Sequence, residues 1–410
     1  MMRWLKPYWR DALALTSIAA LIVGFFFRLF FPVPQLIVTP DFGRSDSWHF
    51  SFATKYLLGQ SLHRGELPLW SSTVGGGFPL IGEGQIGAFY LPNLILFRLF
   101  DPVAAYNMAL VFAIVSVGWG MYAWLRFMRY TCLPSLFAAT TLSFSGMVIA
   151  QLPHIALIQG FSLFPWVAAA TLLLSQKRTT ATVALWTLLV SQQLLAGFPQ
   201  ASFITVLFST VYFGWLIRKS QTRHADIARF LVAAAGAVGL SAIQLLPSWE
   251  FLKQTTTARG LQPEAASYFS YPIKHLITLA VPFALGNPKM GTYPAFFRFD
   301  GSIFWENVGG IGPLSLILLI CLGLLKAPRQ GETLSMKPNV LFFLLTGITS
   351  FLLMLGKYSP LYLVYSFFPF NLFRVPSRFI WIFVFIILIL AAEGWTRLWQ
   401  VKIYRTCIRA

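Results

Sequence analysis

Apolar blocks of roughly 17 to 25 residues, the length of helix that crosses hydrocarbon, recur along the whole of this 410-residue chain and limit its fold more tightly than any other feature. A bilayer offers no water to satisfy backbone amides, so each crossing segment must bond internally as a helix or close with others into a barrel. The alternating ten-residue strands of a barrel are absent from the pattern. The fold class is therefore all-α, a polytopic transmembrane helical bundle. Spans are expected near residues 11–31, 103–125, 131–150, 158–175, 180–196, 200–217, 229–247, 308–326, 338–355 and 378–398, about ten in a single domain over 1–410. The basic opening "MMRWLKPYWR" leads into an apolar run without a small-residue cleavage site, so the first block reads as a retained span rather than a signal peptide.

A net charge of +18 would suggest nucleic acid in a water-soluble protein, but here the bases gather between spans, where they set topology, and no nucleic-acid partner is expected. "RFMR" at 126–129, "QKR" at 176–178, "RKSQTRH" at 218–224, "KAPRQ" at 326–330 and the two termini fall on one side of alternating spans. By the positive-inside rule that side is cytoplasmic. The other side receives the first outer loop (32–102), a second (248–307) and a shorter one (356–378). It also receives nine of the thirteen acids: Asp41, Asp46, Glu66, Glu83, Asp101, Glu250, Glu264, Asp300 and Glu306. Acids contribute little to insertion, so their concentration points to chemistry on that face. The first loop reads as amphipathic, with a helix over Asp46 to His63 and an interfacial apolar helix in "FYLPNLILFRLF". "YPIKHLITLAVPFALG" at 271–286 is too short and too broken to span. Cys132, Cys321 and Cys407 are too scattered for a disulfide framework or a zinc site.

Five strings occur in order on the outer side. They are "SLHRGELPLWSSTVGGGFPLIGEGQIGAFYLPNLILF", "GFPQASF", "IQLLPSWEFLKQTTTARG", "FWENVGGIGPLSLIL" and "GKYSPLYLVYSFFPFNLFRVPSRFIWIFVF". Together they resemble bacterial YfhO-type membrane proteins, which are grouped with the GT-C glycosyltransferases. The resemblance implies a many-helix membrane bundle with catalytic residues in the first outer loop. It also implies transfer of a sugar from a polyprenyl-phosphate-linked donor to an envelope glycan, lipid or protein acceptor, on the outer face of the bacterial cytoplasmic membrane. Where the family carries Gly-Asp in the first loop, this chain has Ser45-Asp46, and many relatives continue further past this point.

Such transfer needs a general base for the acceptor hydroxyl, and Asp46 matches the family's first-loop aspartate, with Asp41 beside it. Two close carboxylates can instead share a divalent metal, Mg or Mn, and the ordinary alternative is that Asp41 caps a turn and Asp46 caps the following helix. Arg44 and His49 flank the pair and suit a phosphate or a carboxylate. Glu83 sits in the glycine-bracketed "IGEGQ". Arg374 and Arg378, in "NLFRVPSRF", are the candidates for gripping the lipid phosphate, with snorkelling to the interface as the alternative. Glu306, at the start of a span, should face the bundle interior, and Glu250 with Arg259 forms either part of a cleft or an ion pair. His154, Gln159 and Gln200 read as helix-turn and interhelical hydrogen-bonding groups, and Trp48 and Trp70 as belt or sugar-stacking aromatics. Two other functions fit a polar helical bundle: a transporter or flippase of an amphipathic substrate, and a non-catalytic scaffold for envelope polysaccharide assembly.

Overall fold

A computed structural model of the chain describes residues 8–37, 46–293, 303–325 and 340–409. Among them the regular structure is helical, and the only sheet-like pairing is an isolated antiparallel bridge between Ser71 and Phe78. Six stretches are long and apolar enough to cross a bilayer: Pro102–Phe127, Cys132–Ile149, Ile155–Lys177, Pro199–Ile217, Phe304–Leu324 and Pro376–Gln400. A seventh arises if Arg223–Leu240 and Ala242–Lys253, bent by 72°, count as one span. Thr180–Leu195 and Val340–Met354 are equally apolar, but at 16 and 15 residues they fall short of the roughly 20 that span hydrocarbon. The first apolar run is helical over Tyr8–Phe25 and gives way to a 3-10 turn at Phe27–Leu29.

The chain divides into two compact units. The first comprises Met1–Leu21, Gly118–Ala150 and Leu261–Ala410, the second Ile22–Val117 and Gln151–Gly260. In the second unit Phe164–Lys177, Thr180–Leu195, Pro199–Ile217 and Arg223–Leu240 pack around Val167, Trp186, Val190, Phe213 and Phe230. This apolar centre holds a polar knot. Trp186 Nε1 donates to Thr171 Oγ1 at 3.0 Å and Ser209 Oγ at 3.1 Å, while the two hydroxyls lie 2.6 Å apart. In a bundle whose surroundings are as apolar as its interior, such bonds select the helix partner that packing alone leaves degenerate.

In the first unit the long helix Ile380–Arg409 is the centre on which Cys132–Ser143, Gly312–Leu324 and Val340–Met354 pack. The approach to Gly312–Leu324 is close enough that a Cβ on Gly394 would lie 2.0 Å from the Leu318 carbonyl oxygen. Backbone contact of this kind replaces the hydrophobic drive that helices lose in lipid. The Gly394→Ala variant should therefore lose about 1–3 kcal/mol through forced separation of the helices. Gly239→Ala, where a Cβ meets nothing within 4 Å, should be neutral or slightly stabilising. Thermal unfolding of the two variants in the same detergent checks this, and equal midpoints would contradict it.

Candidate functional site

Residues 46–102, within the second unit, open on a helix whose first turn is wound wide: Ser47–Phe52 is π-helical and runs directly into the α-helix Ala53–His63. Asp46 stands at the N-terminus of that helix but makes no side-chain cap, so capping does not explain it. Instead its Oδ2 lies 3.0 Å from His154 Nε2, and His154 Nδ1 lies 2.7 Å from Gln151 Oε1. Ser51 Oγ, donating to the Pro153 carbonyl at 2.7 Å, fixes the helix against this strand of chain. An amide oxygen can only accept, so Nδ1 is the donor in its contact with Gln151. The Asp46 side chain remains 64% exposed and His154 22%. A small cavity beside the helix start is lined by Ser47, Trp48, Phe52, Tyr106 and Leu152. The buried Tyr106 hydroxyl has no hydrogen-bond partner among the described residues.

Beneath the same helix lies a residue the sequence did not single out. Lys55 is completely buried, and its Nζ donates to the Ile86 carbonyl at 2.6 Å and the Gln85 carbonyl at 3.3 Å. The signal was present in the spacing, since Lys55, Leu58 and Leu62 form the inward stripe of Ala53–His63. Glu83 ends a single helical turn, Leu80–Glu83, and its oxygens accept from Gln85 N at 2.9 Å and Gln85 Nε2 at 2.6 Å. The turn after Glu83 presses on the corner at Gly197: a Cβ there would lie 2.0 Å from the Gly84 carbonyl oxygen, and Gly197 has φ +85°. Asn93 and Gln159 exchange hydrogen bonds of 2.7 and 3.3 Å, the interhelical role expected of Gln159.

Of the remaining expected residues in this unit, His49, Trp48, Trp70 and Glu250 are exposed, and Glu250 and Arg259 do not pair with each other. Asp41 and Arg44 lie outside the described residues. Three or more potential metal ligands do not gather anywhere among the described residues, and Asp46 with His154 supplies two donors.

Arg374, Arg378 and Glu306 belong to the first unit. Glu306 is buried, and Arg378 grips it in bidentate fashion at 2.6 and 3.3 Å, so this guanidinium already serves a carboxylate. Arg374 points outward. The residue between them, Val375, sits in the left-handed region at φ 70°, ψ 69°, a strained conformation for a β-branched side chain. That kink separates the inward arginine from the outward one.

Compared with protein-family models, with curated proteins and with solved structures, the chain matches none.

Burial pulls the Lys55 ammonium down to about 7, with the nearby Glu83 charge acting against it. Burial also pushes the Glu83 carboxyl up, opposed by its bonds to Gln85 and by Lys55. A depressed lysine contributes stability that is fully present above its unfolded value, about 10.4, and is lost as pH falls through the folded one. The raised glutamate acts oppositely, helping below about 4.3 and ceasing to help as pH rises through its folded value. Stability of the native chain should thus climb between pH 7 and 10 relative to Lys55→Met, which lacks the titrating amine. Unfolding midpoints of both across that range, in one detergent, measure it; parallel curves would refute the assignment.

Proposed function

We propose that this chain is a membrane glycosyltransferase of the GT-C type. It moves a sugar from a polyprenyl-phosphate-linked donor to an acceptor hydroxyl at the outer face of a bacterial cytoplasmic membrane, with both termini inside. The observation that carries this reading is the Asp46 carboxylate, exposed at the first outer loop yet aimed by His154, which Gln151 aims in turn. The resemblance of the outer strings to YfhO-type proteins supplies the substrate class.

In this reading Asp46 removes the proton from the acceptor hydroxyl. The resulting oxygen attacks the anomeric carbon, and the carbon–oxygen bond to the lipid phosphate breaks with its electron pair leaving on phosphate. A single displacement inverts the anomeric configuration. His154 does not touch the sugar. It holds Oδ2, so that the carboxylate meets the hydroxyl in one orientation, a contribution of positioning rather than of proton capacity. Trp48, exposed beside the helix start, offers an aromatic face to an acceptor ring. No step is routed through a metal.

Purified protein given a panel of polyprenyl-phosphate sugars, scored for release of the free carrier, tests the proposal. Asp46→Asn should lower turnover by ~10²–10⁴-fold, the usual share of a general base. His154→Ala should lower kcat by less, with KM little changed, and His154→Gln, which keeps a donor, should recover part of the loss. Full activity in Asp46→Asn would overturn the assignment. Retention of configuration in the product would overturn the single displacement.

A further inference from the structure

Two segments of the first unit, 261–293 and 356–378, join helices without containing a helical stretch longer than the seven-residue 3-10 turn Ile273–Leu279. They are tied into one shelf by hydrogen bonds that cross between them or reach the adjacent helix end. Leu261 N donates to Asn371 O at 2.7 Å, Val375 N to Tyr268 O at 3.1 Å, Tyr271 N to Met354 O at 3.0 Å, and Lys357 N to Ser270 Oγ at 2.9 Å.

Large apolar side chains stand out from the shelf: Ile273, Ile277, Leu363, Phe367 and Phe368 are each more than half exposed. The helical stretches within the segments are too short to cross a bilayer, so these side chains are not the flanks of spans. Cations are interleaved with them. Lys274, Lys289, Lys357 and Arg374 are exposed, against one exposed acid, Glu264, among the described residues of the two segments. The Lys357 ammonium lies 5.2 Å above the Tyr358 ring, which keeps it beside an aromatic at the surface. Apolar groups alternating with cations suit neither bulk water nor the hydrocarbon interior. They suit headgroup depth, where aliphatic and aromatic groups enter the acyl boundary and cations meet phosphate.

We propose that this shelf is a docking surface for anionic phospholipid headgroups, with Lys274, Lys357 and Arg374 receiving the phosphate oxygens and Ile273, Phe367 and Phe368 dipping into the acyl boundary. Among the described residues of the two segments the exposed charges are four cations against one acid, and this imbalance selects anionic lipid over zwitterionic lipid. This surface is independent of the sugar-transfer reading, since it uses neither Asp46 nor His154.

Native mass spectrometry of the full chain, delipidated in detergent and given equal amounts of POPG and POPC, is the test. The unmodified chain should retain POPG several-fold over POPC. The triple variant Lys274→Gln, Lys357→Gln, Arg374→Gln should lose that preference, whereas Lys274→Arg with Lys357→Arg should keep it. A control changing Lys219 and Arg223 to Gln should also keep it. Should the triple variant aggregate, Lys357→Gln alone reads the same effect in reduced size. Equal retention of POPG and POPC by the unmodified chain, as an acidic protein partner for the shelf would leave it, overturns the proposal. So does an unchanged preference in the Gln variants, or displacement of POPG by inorganic phosphate, which would mark a free-anion site.

Discussion

An ammonium group without solvent contact must find oxygen partners or lose its proton, and Lys55 imposes that requirement on everything folded around it. The oxygens come from the backbone of Gln85 and Ile86, so their carbonyls must turn inward, and the chain from Gly82 to Gly87 has no other course. Glu83 spends its oxygens on Gln85 and answers Lys55 through its field. With the turn fixed, the Gly84 carbonyl meets Gly197, and Gln244 Nε2 donates to the Ile81 carbonyl at 2.6 Å. What the sequence presents as a long connection between spans is thereby built like a small domain core, with a buried charge at its centre and the Asp46 helix as its lid.

Several acids among the described residues are held by arginines. Asp226 is buried against Arg178 at 2.9 Å and Arg229 at 2.8 Å, Asp11 pairs with Arg126 at 2.7 Å, and Glu393 pairs with Arg397 at 3.1 Å. Glu306 is held by Arg378. A guanidinium keeps its charge at every relevant pH and therefore keeps its carboxylate a spectator. The Asp11–Arg126 and Asp226–Arg178 pairs tie separate elements, whereas the Asp226–Arg229 and Glu393–Arg397 pairs each brace one helix, at i,i+3 and i,i+4. Asp46 differs from these in being paired with an imidazole. The difference separates carboxylates pinned by a fixed cation from one that stays exposed beside a ring that orients it.

Helices were legible from block length, because a bilayer converts apolar length directly into helix. Their interruptions were less so. The span expected at 229–247 breaks at Ser241, where a 72° bend separates Arg223–Leu240 from Ala242–Lys253, and hydropathy carries no term for the hydroxyl that reaches from Ser241 to the Ser191 carbonyl. Glu306 was placed inward on the cost of charge in lipid, and it is buried. Its pairing with Arg378 was out of reach, because the two lie 72 positions apart and no periodicity links them. The same distance problem hid His154, which is 108 positions from Asp46 and reads locally as a helix start after Pro153. Lys55 was different: its helical spacing put it on the inward stripe, and the rarity of buried lysine argued against taking that spacing at face value.

The arrangement behind Asp46 also explains why a glutamine stands third in the chain of contacts. If Gln151 were an acid, His154 would lie between two carboxylates and be drawn toward the positive form by both. A neutral amide oxygen accepts from Nδ1 without adding charge, so the imidazole is oriented toward Asp46. The π-wound turn at Ser47–Phe52 contributes to the same end. Ser47 and Ser51 are both turned inward from it, and Ser51 reaches the Pro153 carbonyl, one position before His154. The carboxylate, the imidazole and the helix that carries them are thus positioned from both ends of the contact.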